Sequence, residues 1–236
     1  MPFLLISKKD QASQDIPGVK RLSMDCKATV KIGAFSRGGQ TRGEYKASDH
    51  DLGGTEHYIP CGIVDEDTAQ LYVTFGSSAK TSDFLVDSLT AWWQGLSAKE
   101  QRTIEQVQLK MDNGPESSGV RTQFLYRMVQ LVDTLGKPIQ LLYYPPYHSK
   151  YNPIERCWGI LELHWNGTQL LNVETMLVWA QSMTWKSIKP VVELSRKVYA
   201  KGVTLSKAAM QAVEARLDRN PLLPKWDILI RPARVT

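Results

Sequence analysis

Between residues 21 and 32 the chain alternates without a break: Leu22, Met24, Cys26, Ala28, Val30 and Ile32 are apolar, and Arg21, Ser23, Asp25, Lys27, Thr29 and Lys31 lie between them. A period of two predicts a strand with one apolar and one polar face. Tyr58 to Val64 and Leu71 to Phe75 read as the next two strands, with Asp65-Glu66-Asp67 as the hairpin connection. The period then lengthens. Thr81-Ser82 caps a helix whose Leu85, Leu89, Trp92 and Leu96 form its buried stripe, with Trp92-Trp93 read as core. Val107, Leu109 and Met111 restore the alternation and end at Asp112, after which Phe124, Met128, Leu131, Val132 and Leu135 return to helical spacing and stop at Gly136. Ile139 to Tyr144 is a further strand, ended by Pro145-Pro146 because proline cannot donate to a ladder. The next helix starts at Asn152, a good N-cap, with Pro153 at the first helical position, and Ile154, Trp158, Leu161 and Trp165 share its buried face.

Outside these elements the pattern is weaker. Met1 to Val19 reads as a lead-in without a motif, and Phe35 to Gly43 as an Arg-rich turn around Gly38-Gly39. Beyond Gly167 helices are expected over Val173 to Trp185, Pro190 to Ala200 and Ser206 to Arg219, before Trp226 to Ile230. Asn113-Gly114 is by itself a hairpin signal, but a helix follows it, so strand, helix and strand make a βαβ unit with parallel pairing and a right-handed crossover. The order is three strands, helix, strand, helix, strand, helix, which predicts an α/β chain with a mixed sheet.

Composition narrows the class. With 236 residues and 42% hydrophobic content the chain can bury one substantial core, with a helical appendage. No run approaches the roughly 18 apolar residues of a membrane helix, and the start is too short for a signal peptide, so a cytoplasmic protein is expected. Cys26, Cys61 and Cys157 are far apart and include no Cys-x-x-Cys pair, so they read as reduced thiols. The net charge of +5 permits a polyanion partner. Seven Lys/Arg between Lys20 and Lys46, and six between Lys186 and Lys207, form two basic clusters that could follow a phosphate backbone or simply be solvated faces.

Three carboxylates sit where such elements can converge. Asp25 is on the polar phase of the first strand, Asp112 ends the fourth, and Glu155 opens the last helix of the series, with Gly159 one turn on leaving it uncrowded. Each has a second reading from its residues alone. Asp25 can be a solvent-facing aspartate, Asp112 can open the Asn-Gly turn, and Glu155 can close a capping box with Asn152. Asp49-His50-Asp51 is dense in ligand types, but three consecutive side chains do not easily converge on one ion, and Asp/His/Gly loops are common turn material. His148 can face a phosphate or be a solvated loop residue, whereas Lys150 and Arg156 flank the proposed site and are better placed for phosphate contact.

Tyr143-Tyr144-Pro145-Pro146-Tyr147-His148-Ser149-Lys150-Tyr151-Asn152-Pro153-Ile154-Glu155-Arg156-Cys157-Trp158 resembles the last signature of DDE transposases in the bacterial insertion-sequence branch related to the mariner superfamily. Met24-Asp25-Cys26-Lys27, Thr81-Ser82-Asp83-Phe84 and Met111-Asp112-Asn113-Gly114-Pro115 extend the likeness over nearly the whole chain. The resemblance implies an RNase H-like, integrase-like mixed sheet of about five strands flanked by helices. Residues 1–167 would be the catalytic domain and 168–236 a C-terminal helical extension. It implies Asp25, Asp112 and Glu155 as catalytic metal ligands for Mg²⁺ or Mn²⁺, two ions in number. The reaction would be hydrolysis at insertion-sequence ends and attack of the freed 3′-hydroxyl on target DNA, with DNA and a homodimer on DNA as partners and a bacterial, nucleoid-associated location. Lys27, Arg37, His148, Lys150 and Arg156 are the candidate nucleic-acid contacts. The 42 residues between Asp112 and Glu155 are more than is usual for the superfamily, and the helix-turn-helix that usually precedes the first catalytic strand is expected to be absent. An RNase H-like nuclease without strand transfer, or a remnant that only binds nucleic acid, are the competing readings.

Overall fold

The computed structural model describes residues 2–35, 37–38, 56–145, 148 and 151–233. In chain order the elements are α1 (Pro2–Ser13), β1 (Val19–Cys26), β2 (Val30–Lys31), β3 (His57–Asp65), β4 (Leu71–Gly76), α2 (Ser82–Gly95), α3 (Ala98–Thr103) and β5 (Gln106–Asp112). There follow α4 (Thr122–Leu135), β6 (Ile139–Tyr144), α5 (Pro153–Trp165), α6 (Val173–Ser182), β7 (Val191–Ser195), α7 (Lys207–Glu214), β8 (Leu217–Arg219) and β9 (Asp227–Ile230). One mixed sheet runs in the order β7-β4-β3-β1-β5-β6-β9-β8, with β2 on β3.

The expected core of this order is present. β1 pairs antiparallel with β3 and parallel with β5, and β5 pairs parallel with β6, so the βαβ unit closes as read from the sequence. Gly136 ends α4 in the left-handed region at φ 64°, where a missing Cβ removes the strain. Helices cover both faces. Leu22, Met24, Leu109, Met111 and Leu141 pack on Phe84, Leu89, Phe124 and Met128 of α2 and α4. On the other face Val64, Leu71, Val73 and Phe75 meet Ile154, Trp158, Leu161 and Trp165 of α5 and Met176 of α6.

Five expectations are corrected. The sheet has nine strands, not about five. Residues 168–236 are not a helical extension: beyond α6 they supply α7 and the strands β7, β8 and β9. The expected helix over 190–200 is the strand β7, because Val191 and Val192 are β-branched and the open edge of β4 offers a parallel ladder from Tyr72↔Val191 to Gly76↔Ser195. The expected helix over 206–219 stops at Glu214, and the chain turns back as β8 against β9. The first strand breaks after Cys26 and resumes at Val30, so the continuous alternation spans two strands.

The lead-in is helical as well. Among its described side chains α1 buries Ile6 against Leu142, and it docks mainly by polar contacts: Lys9 Nζ lies 2.5 Å from Asp227 Oδ2, Ser13 Oγ donates to Gln108 Oε1 at 2.5 Å, and Lys110 Nζ reaches Asp10 Oδ2 at 2.6 Å. Lys110 also pairs with Glu66 Oε2 at 2.6 Å while its own side chain is only 2% exposed. A docking face built from ions carries no apolar period, which is why the sequence pattern misses it.

Candidate active site

β1 brings Asp25 to the middle of the sheet, with Gly62 of β3 as its Cα partner. β5 ends in Asp112, opposite Tyr144 at the end of β6. Glu155 enters from the first turn of α5, and that helix is held by burial: Ile154, Leu161 and Trp165 are at most 1% exposed and Trp158 is 4% exposed, each contributing about 1.5–3 kcal/mol.

The start of α5 is tied to β1 by side chains. Asn152 makes no cap hydrogen bond to its own helix. Its amide lies across the sheet instead, accepting from Ser23 Oγ and donating from Nδ2 to the Met24 carbonyl at 3.4 Å. Ser23 Oγ in turn accepts the Ile154 N–H at 3.1 Å, the bond an N-cap side chain ordinarily accepts. Ser23 and Asn152 are 0% and 1% exposed. The cap of α5 is thus lent by the strand that carries Asp25. A second contact fixes the spacing: a Cβ on Gly62 would stand 2.6 Å from the Trp158 ring and 2.7 Å from Ile154 Cδ1, so only glycine lets α5 come this close. From there Trp158 Nε1 donates to Asp25 Oδ2 at 3.3 Å.

The carboxylates sense one another. Burial, then the charges of Asp112 and Glu155, push Asp25 up to about 7, opposed by the charge of Lys80. Burial and then Asp112 raise Glu155, opposed by Lys27. The Glu155 carboxylate makes no hydrogen bond to a described residue, so the capping-box alternative is not realised. Among the described residues no three His, Cys, Asp or Glu side chains are drawn together as a ready metal cage. The donor set is nevertheless all carboxylate oxygen, the set that hard divalent cations take, and the burial and repulsion that raise Asp25 and Glu155 are what a bound cation relieves. On these observations Asp25, Asp112 and Glu155 fit a divalent ion.

The other expected residues are placed differently. Lys27 pairs with Glu162 at 2.7 Å. Arg37 turns inward, its guanidinium 5.3 Å from the Trp165 ring centre and one of its terminal nitrogens donating to the Lys31 carbonyl at 2.5 Å, and burial lowers its pKa. His148 stacks on Tyr151 at 6.0 Å between ring centres. Arg156 is exposed on α5. Lys150 and Asp49-His50-Asp51 lie outside the described residues. Three contributors were not singled out from sequence. Ser23 had a legible signal, since it shares Asp25's phase on the strand. Lys80 stood directly before a helix cap. Nothing in the sequence pointed to Gly62.

The family model described as the Rhodopirellula transposase DDE domain matches residues 2–232. No curated protein matches the chain. Among solved structures, the Mos1 strand transfer complex aligns at 12% identity and TM-score 0.48, covering 75% of this chain and 50% of that one. The Mos1 transposase paired-end complex with the left transposon end aligns at 11% and 0.49, again covering 75% and 50%. The simian T-cell lymphotropic virus intasome in complex with the PP2A regulatory subunit B56 gamma aligns at 16% and 0.44, covering 81% and 61%. The chain spans about half the length of the Mos1 chains it matches. The family match runs from α1 through β9 and so takes in every strand of the sheet, and the chain belongs to the transposase DDE-domain family.

Proposed function

We propose that this chain is the catalytic domain of a transposase that cleaves DNA at insertion-sequence ends and transfers the freed strand to target DNA. The observation that carries the reading is the electrostatic grouping of Asp25, Asp112 and Glu155, delivered by β1, the end of β5 and the start of α5. Two Mg²⁺ or Mn²⁺ ions held by these carboxylates would supply charge stabilisation at the attacking and leaving oxygens of the phosphodiester.

The protein's part is to hold its acids. Ser23 and Asn152 lock the entry of α5 to β1, which keeps Glu155 over the strand that carries Asp25. The Trp158 indole N–H orients the Asp25 carboxylate. Lys27 and Lys80 favour the ionised forms of Glu155 and Asp25 respectively. All three acids lie within residues 1–167, the span assigned to catalysis, while 168–236 complete its sheet. DNA is the partner, as element end and as target, engaged as a homodimer, with Lys27, Arg37, His148, Lys150 and Arg156 as its candidate contacts. No helix among the described residues is long and apolar enough to cross a membrane, in keeping with action at the bacterial nucleoid.

The test is Mn²⁺ binding by calorimetry, with and without a DNA duplex, alongside nicking and strand transfer on supercoiled plasmid. Wild type should bind and cut. Asp25→Asn, Asp112→Asn and Glu155→Gln should each lose ion affinity and cleavage while remaining folded. Ion binding indifferent to all three changes would refute the site, and nicking without joined products would assign the chain to hydrolysis alone.

A further inference from the structure

A cleft of about 310 Å³ opens between the start of α2, the loop that follows Asp112, and residues 200–203. Its wall is part of the same loop: Pro115 and Glu116 line it, and that loop is folded back on Asp112 by Ser117 Oγ, which donates to the Asp112 carbonyl at 3.3 Å. Ser82 Oγ at the start of α2 donates to the Glu116 carbonyl at 2.6 Å, fixing the opposite wall to it.

Three cations from distant parts of the chain meet there: Lys80, Arg121 and Lys201. Other cations of this fold are held in close ion pairs, as in Lys110 with Asp10 and Glu66, or Arg127 with Asp83 and Asp87. Those of the cleft are not consumed in this way. Arg121 and Lys201 make no ion pair with a described residue, and Arg121 Nε is shut off from water without a hydrogen-bond partner. Lys80 stands 3.7 Å from Glu116 with its side chain 37% exposed, so that pair is loose and open to water. Of the two lining carboxylates, Asp83 is already held by Arg127 and Gln123, which leaves Glu116 to offset three cations. A planar guanidinium with a free donor and two flexible ammonium groups suit the oxygens of a phosphodiester.

We infer that this cleft holds a backbone phosphate of the DNA strand next to the one being cut. The inference rests on the catalytic reading above and adds a place for the strand on the Asp112 side of the acids. The cleft is of a size to take one sugar-phosphate unit, and its Pro115–Glu116 wall belongs to the loop that Ser117 ties to Asp112, so a strand seated there would pass beside the end of β5.

The experiment is fluorescence anisotropy of a labelled duplex with the full chain in EDTA, over a salt series, for wild type, Lys201→Glu, Arg121→Ala and Lys99→Ala. Lys201 is exposed and its reversal leaves the core untouched, so it stands in should Arg121→Ala fold poorly in thermal melts. Each lost phosphate contact should lower the slope of log K against log salt by roughly 0.9 and weaken binding about tenfold at low salt. Lys99→Ala, on exposed α3, should change neither. Equal slopes in wild type and Lys201→Glu, or no DNA binding by wild type, overturn the inference. So does inorganic phosphate binding that Lys201→Glu abolishes while the DNA slope stays unchanged, which would assign the cleft to a free anion. Plasmid nicking with Mn²⁺ separates the two readings. A chain with the expected slopes but no nicking would sink the catalytic assignment alone, whereas nicking with unchanged slopes would sink the cleft alone.

Discussion

Removing one hydroxyl tests how the helix start is held. Ser23→Ala deletes a group that donates to Asn152 Oδ1 and accepts the Ile154 N–H at 3.1 Å, in a place where Ser23 itself is 0% exposed. No water replaces the lost atom, so an N–H and an amide oxygen are left unpaired, at about 1–3 kcal/mol each. Asn152 keeps its weaker bond to Met24 and can turn to recover part of the loss. The expected change is therefore about 2–4 kcal/mol, a fall in Tm of roughly 5–15 °C for a chain of this size. Asn152→Ala should be milder, about 1–2 kcal/mol, because the Ser23 hydroxyl still accepts from Ile154. The double variant should lose less than the sum of the two, since they share a bond. Urea unfolding followed by tryptophan fluorescence gives all three values, with m unchanged. A loss below about 0.5 kcal/mol for Ser23→Ala, or strict additivity in the double variant, would refute the stitch between β1 and α5.

Glu155→Gln should change stability by no more than about 0.5 kcal/mol in the same assay, because its carboxylate caps nothing, whereas loss of a real capping residue would remove about 1 kcal/mol. Stability should also depend on pH through Asp25. Its folded pKa of about 7 lies above the unfolded value near 3.9, so the folded state holds the proton more tightly. That contribution is full below about pH 4 and is lost as pH rises to about 7. In EDTA the Tm of wild type should fall across this window while Asp25→Asn falls less; parallel curves would count against the coupling. Lys110→Met takes the ammonium from between Asp10 and Glu66, leaving Asp10 to Gln108 and to Arg21 at 3.8 Å, and should destabilise by about 2–4 kcal/mol, with a neutral result in chemical unfolding showing that α1 docks some other way. Gly62→Ala drives a methyl to within 2.6 Å of Trp158; it should remove about 1–3 kcal/mol and most plasmid nicking, and unaltered nicking would show that α5 tolerates displacement.

Period was legible and burial was not. The alternation of residues 21–32 places Asp25 and Ser23 on one face of β1, and that much is visible in the sequence. Read as a polar face it suggests solvent, yet Arg21, Ser23, Gln108 and Lys110 are all 8% exposed or less, because α1 and α5 lie over them. The wrong inference at 190–200 has the same root. Five residues carry a weak local preference, and the ladder on β4 decided between the options. Asn152-Pro153-Ile154-Glu155 signalled a helix start correctly, through proline at N1, and misplaced its cap, because the bond that satisfies Ile154 comes from a residue 131 positions away. Gly62 was silent since its importance lies in what presses on it.

The place of β1 in the sheet also governs when the site can exist. Its antiparallel partner β3 and its parallel partner β5 are separated by three intervening elements, and roughly eighty residues lie between the end of β1 and the start of β5. Parallel pairing over such an interval is slow to form, since the loop must close before the contacts reward it. Glu155 comes later still, on a helix whose cap is supplied by β1. During synthesis, at about 5–20 residues per second, the first two acids emerge seconds before the third, and α5 has no seat until the strand ladder is in place. Bringing the three acids together is therefore gated by the strand ladder around β1 and not by the helix that carries Glu155, whose own start is incomplete until β1 lends it a cap.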